Sequence, residues 1–201
     1  MEKTQILMVH GGEVFSNNKE LYSMIEERKI DPYENKKNWK NYLLEELEGS
    51  HEIFKPTFPN SWLADYNAWK IWFEKYFEFL TSKNIILIGN SLGGIFLAKY
   101  LCENTFPKKI SQLHLLAPVF DHGVGDYLGN FSFDNTKLEN VSKQCENIFL
   151  YHSHDDDIVP FNHSVEYKQR LEKSELIEFK NRGHFIDERP INELIERIKR
   201  N

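Results

Sequence analysis

The stretch Ile85-Ile86-Leu87-Ile88-Gly89-Asn90-Ser91-Leu92-Gly93-Gly94 constrains this chain more than any other. An apolar, β-branched run ends in Gly-x-Ser-x-Gly and passes directly into a helical spacing of Ile95, Phe96, Ala98 and Leu101. That pattern predicts a strand, a sharp turn and a helix, with a serine at the apex. Glycines two before and two after the serine let strand and helix approach without colliding Cβ atoms. The first N–H groups of the following helix favour negative charge at the same point. A serine so placed is a candidate nucleophile. It needs a base, a carboxylate to orient that base, and donors for an oxyanion. The pattern alone arises by chance in roughly one chain in twenty of this length, so the rest of the sequence must supply the partners.

Apolar runs and helical spacings alternate along the chain. Strands are expected at residues 6–9, 52–55, 84–89, 112–117, 148–152 and 176–180. Helices are expected weakly around Leu21, Met24 and Ile25, then from Trp39, Tyr42, Leu43, Leu44 and Leu47. Another follows an Asp65 N-cap and carries Trp69, Trp72, Phe73, Tyr76, Phe77 and Leu80, a stripe read as core packing against a sheet. Further helices cover 92–103 and 162–171, and a last one starts at Pro190 with Ile191, Leu194, Ile195 and Ile198 on one face. Pro56 and Pro59 bar regular structure between them. Residues 121–141 have no period and read as an irregular excursion.

This alternation predicts an α/β fold, a three-layer α/β/α sandwich around a mostly parallel sheet. A length of 201 residues suits a single domain over 1–201. In such sheets ligands bind beyond the carboxyl ends of the strands. The segments leaving those ends hold His10-Gly11-Gly12, Ser91, Asp121, the Asp155 cluster and His184.

These segments contain the missing partners. His184, in Asn181-Arg182-Gly183-His184-Phe185, is a candidate base, because histidine titrates near neutrality. After the fifth strand comes His152-Ser153-His154-Asp155-Asp156-Asp157-Ile158-Val159-Pro160. Three adjacent carboxylates repel unless they face water or a cation. Asp155 and Asp157 read as a solvated, helix-capping loop, and Asp156 is set apart by its position four residues before Pro160. Asp121 stays open as the alternative acid. Ser91, Asp156 and His184 follow the order serine, acid, histidine. His10-Gly11-Gly12 can present the Gly12 N–H to an oxyanion beside that of Leu92, with His10 itself structural.

Composition narrows the partners. The net charge is −6 with no Lys/Arg block, which argues against nucleic acid. No apolar run approaches the ~20 residues of a membrane span. Cys102 and Cys145 have neither zinc nor redox spacing and read as reduced thiols, and the start of the chain lacks signal-peptide features, so a cytoplasmic location is expected. No metal or organic cofactor is expected.

On these residues the chain resembles the α/β-hydrolases, and more narrowly the small, lidless serine hydrolases grouped with retinoblastoma-binding protein 9 and the YdeN-type bacterial proteins. Val9-His10-Gly11-Gly12 matches the oxyanion turn, and Phe58-Pro59-Asn60 with Trp69 matches a Pro-Asn stretch and a helical tryptophan. Gly89 to Gly94 is the nucleophile elbow, and Gly183-His184-Phe185 surrounds the base. Asp156-Asp157-Ile158-Val159-Pro160 fits an Asp-x-x-hydrophobic-Pro motif and selects Asp156 within the triplet. The resemblance implies a six-stranded sheet in the order 2-1-3-4-5-6.

It also implies a serine hydrolase that cleaves small carboxylic esters, and next amides, through an acyl-enzyme on Ser91. Residues 13–36 and 121–141 are longer than the family pattern. They are expected either to form a small lid carrying Phe15, Tyr22, Tyr33, Tyr127, Phe131 and Phe133, or to pack elsewhere. Two rival readings remain. One is a protein-binding module that keeps the triad as a relic, although no Leu-x-Cys-x-Glu run is present. The other is a metallohydrolase using His152-x-His154-x-Asp156.

Overall fold

A computed structural model describes residues 3–33, 37–123 and 127–200. Six strands form one sheet: β1 (Thr4–Val9), β2 (His51–Phe54), β3 (Asn84–Asn90), β4 (Lys109–Leu116), β5 (Cys145–Ser153) and β6 (Glu175–Phe179). Every pairing is parallel and the order is β2-β1-β3-β4-β5-β6, as expected. The strand order reverses between β1 and β3, so the carboxyl ends of those two strands flank the crevice where such sheets bind ligands.

Strand alternation sends side chains to two cores. Leu7, Val9, Leu87, Leu113 and Leu115 face one side; Ile6, Met8, Ile86, Ile88 and Leu116 face the other. The first face is covered by α3 (Tyr66–Lys75), α4 (Leu92–Glu103), α5 (Glu139–Gln144) and α6 (Asn162–Arg170). The second is covered by α2 (Trp39–Leu47) and α7 (Asn192–Lys199). Asp65 caps α3 as predicted, accepting from the Ala68 N–H at 2.8 Å. Of the expected aromatic stripe, Trp69 and Phe73 lie in the larger core while Trp72 is exposed; the Trp69 ring lies 5.0 Å from Phe58, 5.9 Å from Phe96 and 5.3 Å from Phe131.

The smaller core holds a polar chain on β4 and β5. Gln112 donates to the Arg197 carbonyl at 2.9 Å and accepts from His114 Nε2 at 2.8 Å, so His114 Nδ1 accepts the Tyr151 hydroxyl at 2.9 Å. Every member is satisfied, which makes burial of these groups affordable. Burial, with a smaller contribution from the Arg197 charge, pushes His114 down to about 3.

Several expectations change. Phe131 and Phe133 are buried in the larger core and do not belong to a rim. Tyr33 is exposed away from any core, and α1 (Asn18–Glu27) buries none of its residues. Residues 34–36 and 124–126, within the two stretches considered for a lid, lie outside the described residues. β4 and β5 each begin three residues earlier than expected, because their first residues pair with their neighbours at the far edge of the sheet. The last helix starts after Pro190: Arg182 donates to the carbonyls of Arg189 and Pro190 at 3.1 and 3.0 Å, holding that turn outside the helix.

Candidate active site

Ser91 stands where β3 passes into α4, with φ 54° and ψ −119°. For a residue with a side chain this is a strained conformation, costing on the order of 1–3 kcal/mol. Its N–H donates to the Leu116 carbonyl at 2.8 Å, which fixes the turn to β4. The glycines are required by contact: a Cβ on Gly89 would lie 2.5 Å from the Gly93 carbonyl oxygen, and one on Gly93 would overlap the Val9 carbonyl.

His184 and Asp156 meet across the ends of β5 and β6. His184 Nδ1 lies 2.8 Å from Asp156 Oδ2. The other oxygen, Oδ1, accepts the N–H groups of Ile158 and Val159 at 2.9 and 2.8 Å. A second ring, His152, places Nε2 3.3 Å from Asp156 Oδ2 while bonding the Val159 carbonyl at 2.8 Å. Burial alone would raise the Asp156 carboxyl. The bonds from His152, His184 and the Val159 N–H outweigh it and hold the group well below the usual carboxylate range. Asp156 is therefore an anion, and His184 Nδ1 carries a proton toward it.

Asp155 faces solvent and braces the same loops, accepting from the Ser153 hydroxyl and from the Gly183 N–H at 2.9 Å. Asp121, also buried, accepts from Gly123, Ser132 and Phe133 within its own excursion.

Gly11 and Gly12 follow β1. A Cβ on Gly11 would sit 3.3 Å from the Ser91 Cβ, so this turn lies directly against the serine. The N–H groups of Gly12 and Leu92 have no hydrogen-bond partner among the described residues. His10 is structural, as expected: Nε2 accepts the Phe58 N–H at 2.8 Å and Nδ1 donates to the Gly11 carbonyl at 2.5 Å.

Ser91, Leu92, Gly12 and His184 line one cleft of about 690 Å³. Ser91 Oγ and His184 Nε2 have no partner among the described residues. Trp62, Tyr127, Ile158 and Ile186 expose apolar surface around this cleft. Arg28, just past α1, enters the rim and lies 4.9 Å over the Trp62 ring. Sequence reasoning did not find His163 or Lys40 in the cleft wall, nor His152 as a neighbour of Asp156. No periodicity marks them, since their placement depends on contacts far apart in the chain.

The metal reading meets a geometric obstacle. His152 is buried between Ser164 and Val159, whereas His154 is exposed, stacked on Phe161 at 3.9 Å and bonded to Glu178 at 2.8 Å. Among the described residues no group of three His, Cys, Asp or Glu side chains is placed to hold a metal ion.

No protein-family model matches the sequence, and no curated protein does. Solved structures do. The ydeN gene product of B. subtilis superposes with a TM-score of 0.73 at 19% identity, covering 98% of both chains. The fold is that of the α/β-hydrolases. A YdeN-like putative hydrolase from Pectobacterium atrosepticum superposes at 0.63 with 16% identity, covering 98% of this chain and 90% of that one. An esterase from Exiguobacterium antarcticum superposes at 0.60 with 16% identity, covering 98% and 91%. Among the described residues no helix is long and apolar enough to cross a membrane.

Proposed function

We propose that this protein is a serine hydrolase acting on small carboxylic esters. The observation that carries the reading is the meeting, in one cleft, of a conformationally strained Ser91 with a His184 whose far nitrogen is bonded to an ionised Asp156. Ser91 Oγ attacks the carbonyl carbon as His184 Nε2 takes its proton. Asp156 fixes the tautomer that leaves Nε2 free and stabilises the imidazolium that results. The N–H groups of Gly12 and Leu92, without a partner among the described residues, donate to the developing oxyanion.

Collapse of the tetrahedral intermediate breaks the ester bond, and the departing alcohol leaves with the proton from His184. Water then attacks the acyl-enzyme with His184 again as base, releasing the acid and restoring Ser91. The lack of a bond between Ser91 and His184 is consistent with this role, because such contacts tighten when substrate binds. Names among the structural neighbours, hydrolase and esterase, support the same class. The separate, buried thiols of Cys102 and Cys145 support a reducing, cytoplasmic setting.

Steady-state hydrolysis of p-nitrophenyl butyrate tests the proposal. Ser91→Ala should lower kcat by at least about 10⁴-fold. Equal rates for the two proteins would end it.

A further inference from the structure

Beside the cleft lies a smaller cavity of about 180 Å³. Met8, Ile88 and Trp39 give it apolar walls, and Lys40 and Lys55 supply its charge. His10, Lys40 and Asn90 line both spaces, so the side pocket adjoins the cleft next to the residue that precedes Ser91. Lys40 belongs to the first turn of α2, where the helix amides add to the positive potential.

Neither Lys40 nor Lys55 has an ion pair or a side-chain hydrogen bond with a described residue. Lys37, three residues before Lys40, pairs with Glu45, and the guanidinium of buried Arg182 pairs with Asp187. The nearest group to the Lys40 ammonium among the described rings is Trp39, 5.5 Å to its centroid. Burial, and then the Lys55 charge, lower Lys40 from its ordinary value. Lys40, half-buried and without an acidic partner among the described residues, carries a desolvation cost that an anionic ligand would offset, and Lys55 adds its charge from the exposed side of the pocket. Glu13 lines the main cleft and not the side pocket.

We propose that the side pocket receives a carboxylate borne by the substrate, so that the preferred esters are acyl chains ending in a free carboxylate, such as half-esters of short dicarboxylic acids. This rests on the reading of Ser91 as nucleophile. The apolar walls suit the methylene groups between ester and carboxylate, and Lys40 and Lys55 bind its oxygens as point charges.

The test compares p-nitrophenyl hemiglutarate with p-nitrophenyl pentanoate, which differ at the chain end. The acidic ester should have kcat/KM at least about tenfold higher, a factor ordinary for one charge-assisted contact. Lys40→Met should bring the ratio close to one, mainly through KM for the acidic ester, and Lys40→Arg should keep most of it. Lys55→Met should lower it less. A wild-type ratio near one, or a ratio that survives Lys40→Met, overturns the proposal.

Free glutarate and inorganic phosphate, followed by the rise in Tm of the wild-type protein, separate the two anions without any turnover. Stabilisation by glutarate that is lost in Lys40→Met supports the carboxylate; stabilisation by phosphate alone overturns it. The binding arm still reads the pocket if Ser91 proves unreactive. Hydrolysis of both esters with no preference would instead sink the pocket and spare the nucleophile.

Discussion

Asp121 and Asp156 are the same residue type, buried alike at 5% and 8% exposure, on segments that leave the adjacent strands β4 and β5. Both are held below the usual carboxylate range despite burial, which by itself would raise them. Their partners differ. Asp121 accepts the Gly123 and Phe133 N–H groups at 2.8 and 2.9 Å and the Ser132 hydroxyl, all from the loop it belongs to. Asp156 spends one oxygen on the amides of its own loop and turns the other to the rings of His184 and His152. Burial and a lowered pKa therefore do not tell an orienting carboxylate from a structural one. What the second oxygen faces does.

The two can be pulled apart by substitution. Asp156→Asn should lower kcat for p-nitrophenyl butyrate by about 10⁴-fold, because the amide cannot hold the His184 tautomer or stabilise its cation. An Asp156→Asn enzyme within tenfold of wild type, with Asp121→Asn the more damaged of the two, would reverse their roles.

The pH dependence of stability separates both carboxylates from His114. A carboxylate depressed in the folded state contributes stability above its unfolded value of about 3.9, lost as pH falls through the folded value. His114 has the same sense over a different window. It stays neutral in the folded protein down to about 3, and the unfolded chain takes up a proton below about 6.5. Stability should therefore drop by about 1.4 kcal/mol per pH unit between those limits from this group alone. His114→Gln, which can still accept from Tyr151 and donate to Gln112, should flatten that limb in urea titrations. The aspartate variants should alter only the region below about pH 4. An unchanged slope in His114→Gln would show that another group carries it.

Asp121→Asn should cost about 1–3 kcal/mol of stability, since an NH₂ group would face the Phe133 N–H. Its kcat should stay within threefold. A kcat loss matching that of Asp156→Asn at unchanged stability would erase the distinction between them. The smallest expected effect is at His154: its exposed pair with Glu178 should make His154→Ala cost no more than about 1 kcal/mol. Chelator treatment should leave turnover intact, and its abolition by chelation would revive the metal reading.

Much of this was legible in the sequence because the relevant signals are local. The β3–α4 elbow is written in consecutive residues, whereas the sheet order came only from the resemblance to the α/β-hydrolases. Ser91, His184 and the 155–157 acidic cluster lie on segments that leave the same sheet edge, so alternation brought them into view, and the family motif selected Asp156 within the cluster. The fate of Phe131 and Phe133 was not legible. A loop without period gives no face to its aromatics; only the larger core that buries both, with the Tyr66 and Trp69 rings against Phe131, shows where they go. Lys40 was hidden for a related reason. Its helix position is ordinary, and its lack of an acidic partner among the described residues is a property of what packs around it.

The central claim is that Ser91 reacts because His184 and Asp156 make it do so. The most direct measurement is the rate and site of covalent labelling by an alkyl fluorophosphonate, followed by intact-protein mass and peptide mapping. The account predicts one adduct, on Ser91, absent in Ser91→Ala and formed far more slowly in His184→Ala and Asp156→Asn than in Asp121→Asn. Labelling of Ser91→Ala at the wild-type rate, or equal rates in Asp156→Asn and wild type, would contradict it.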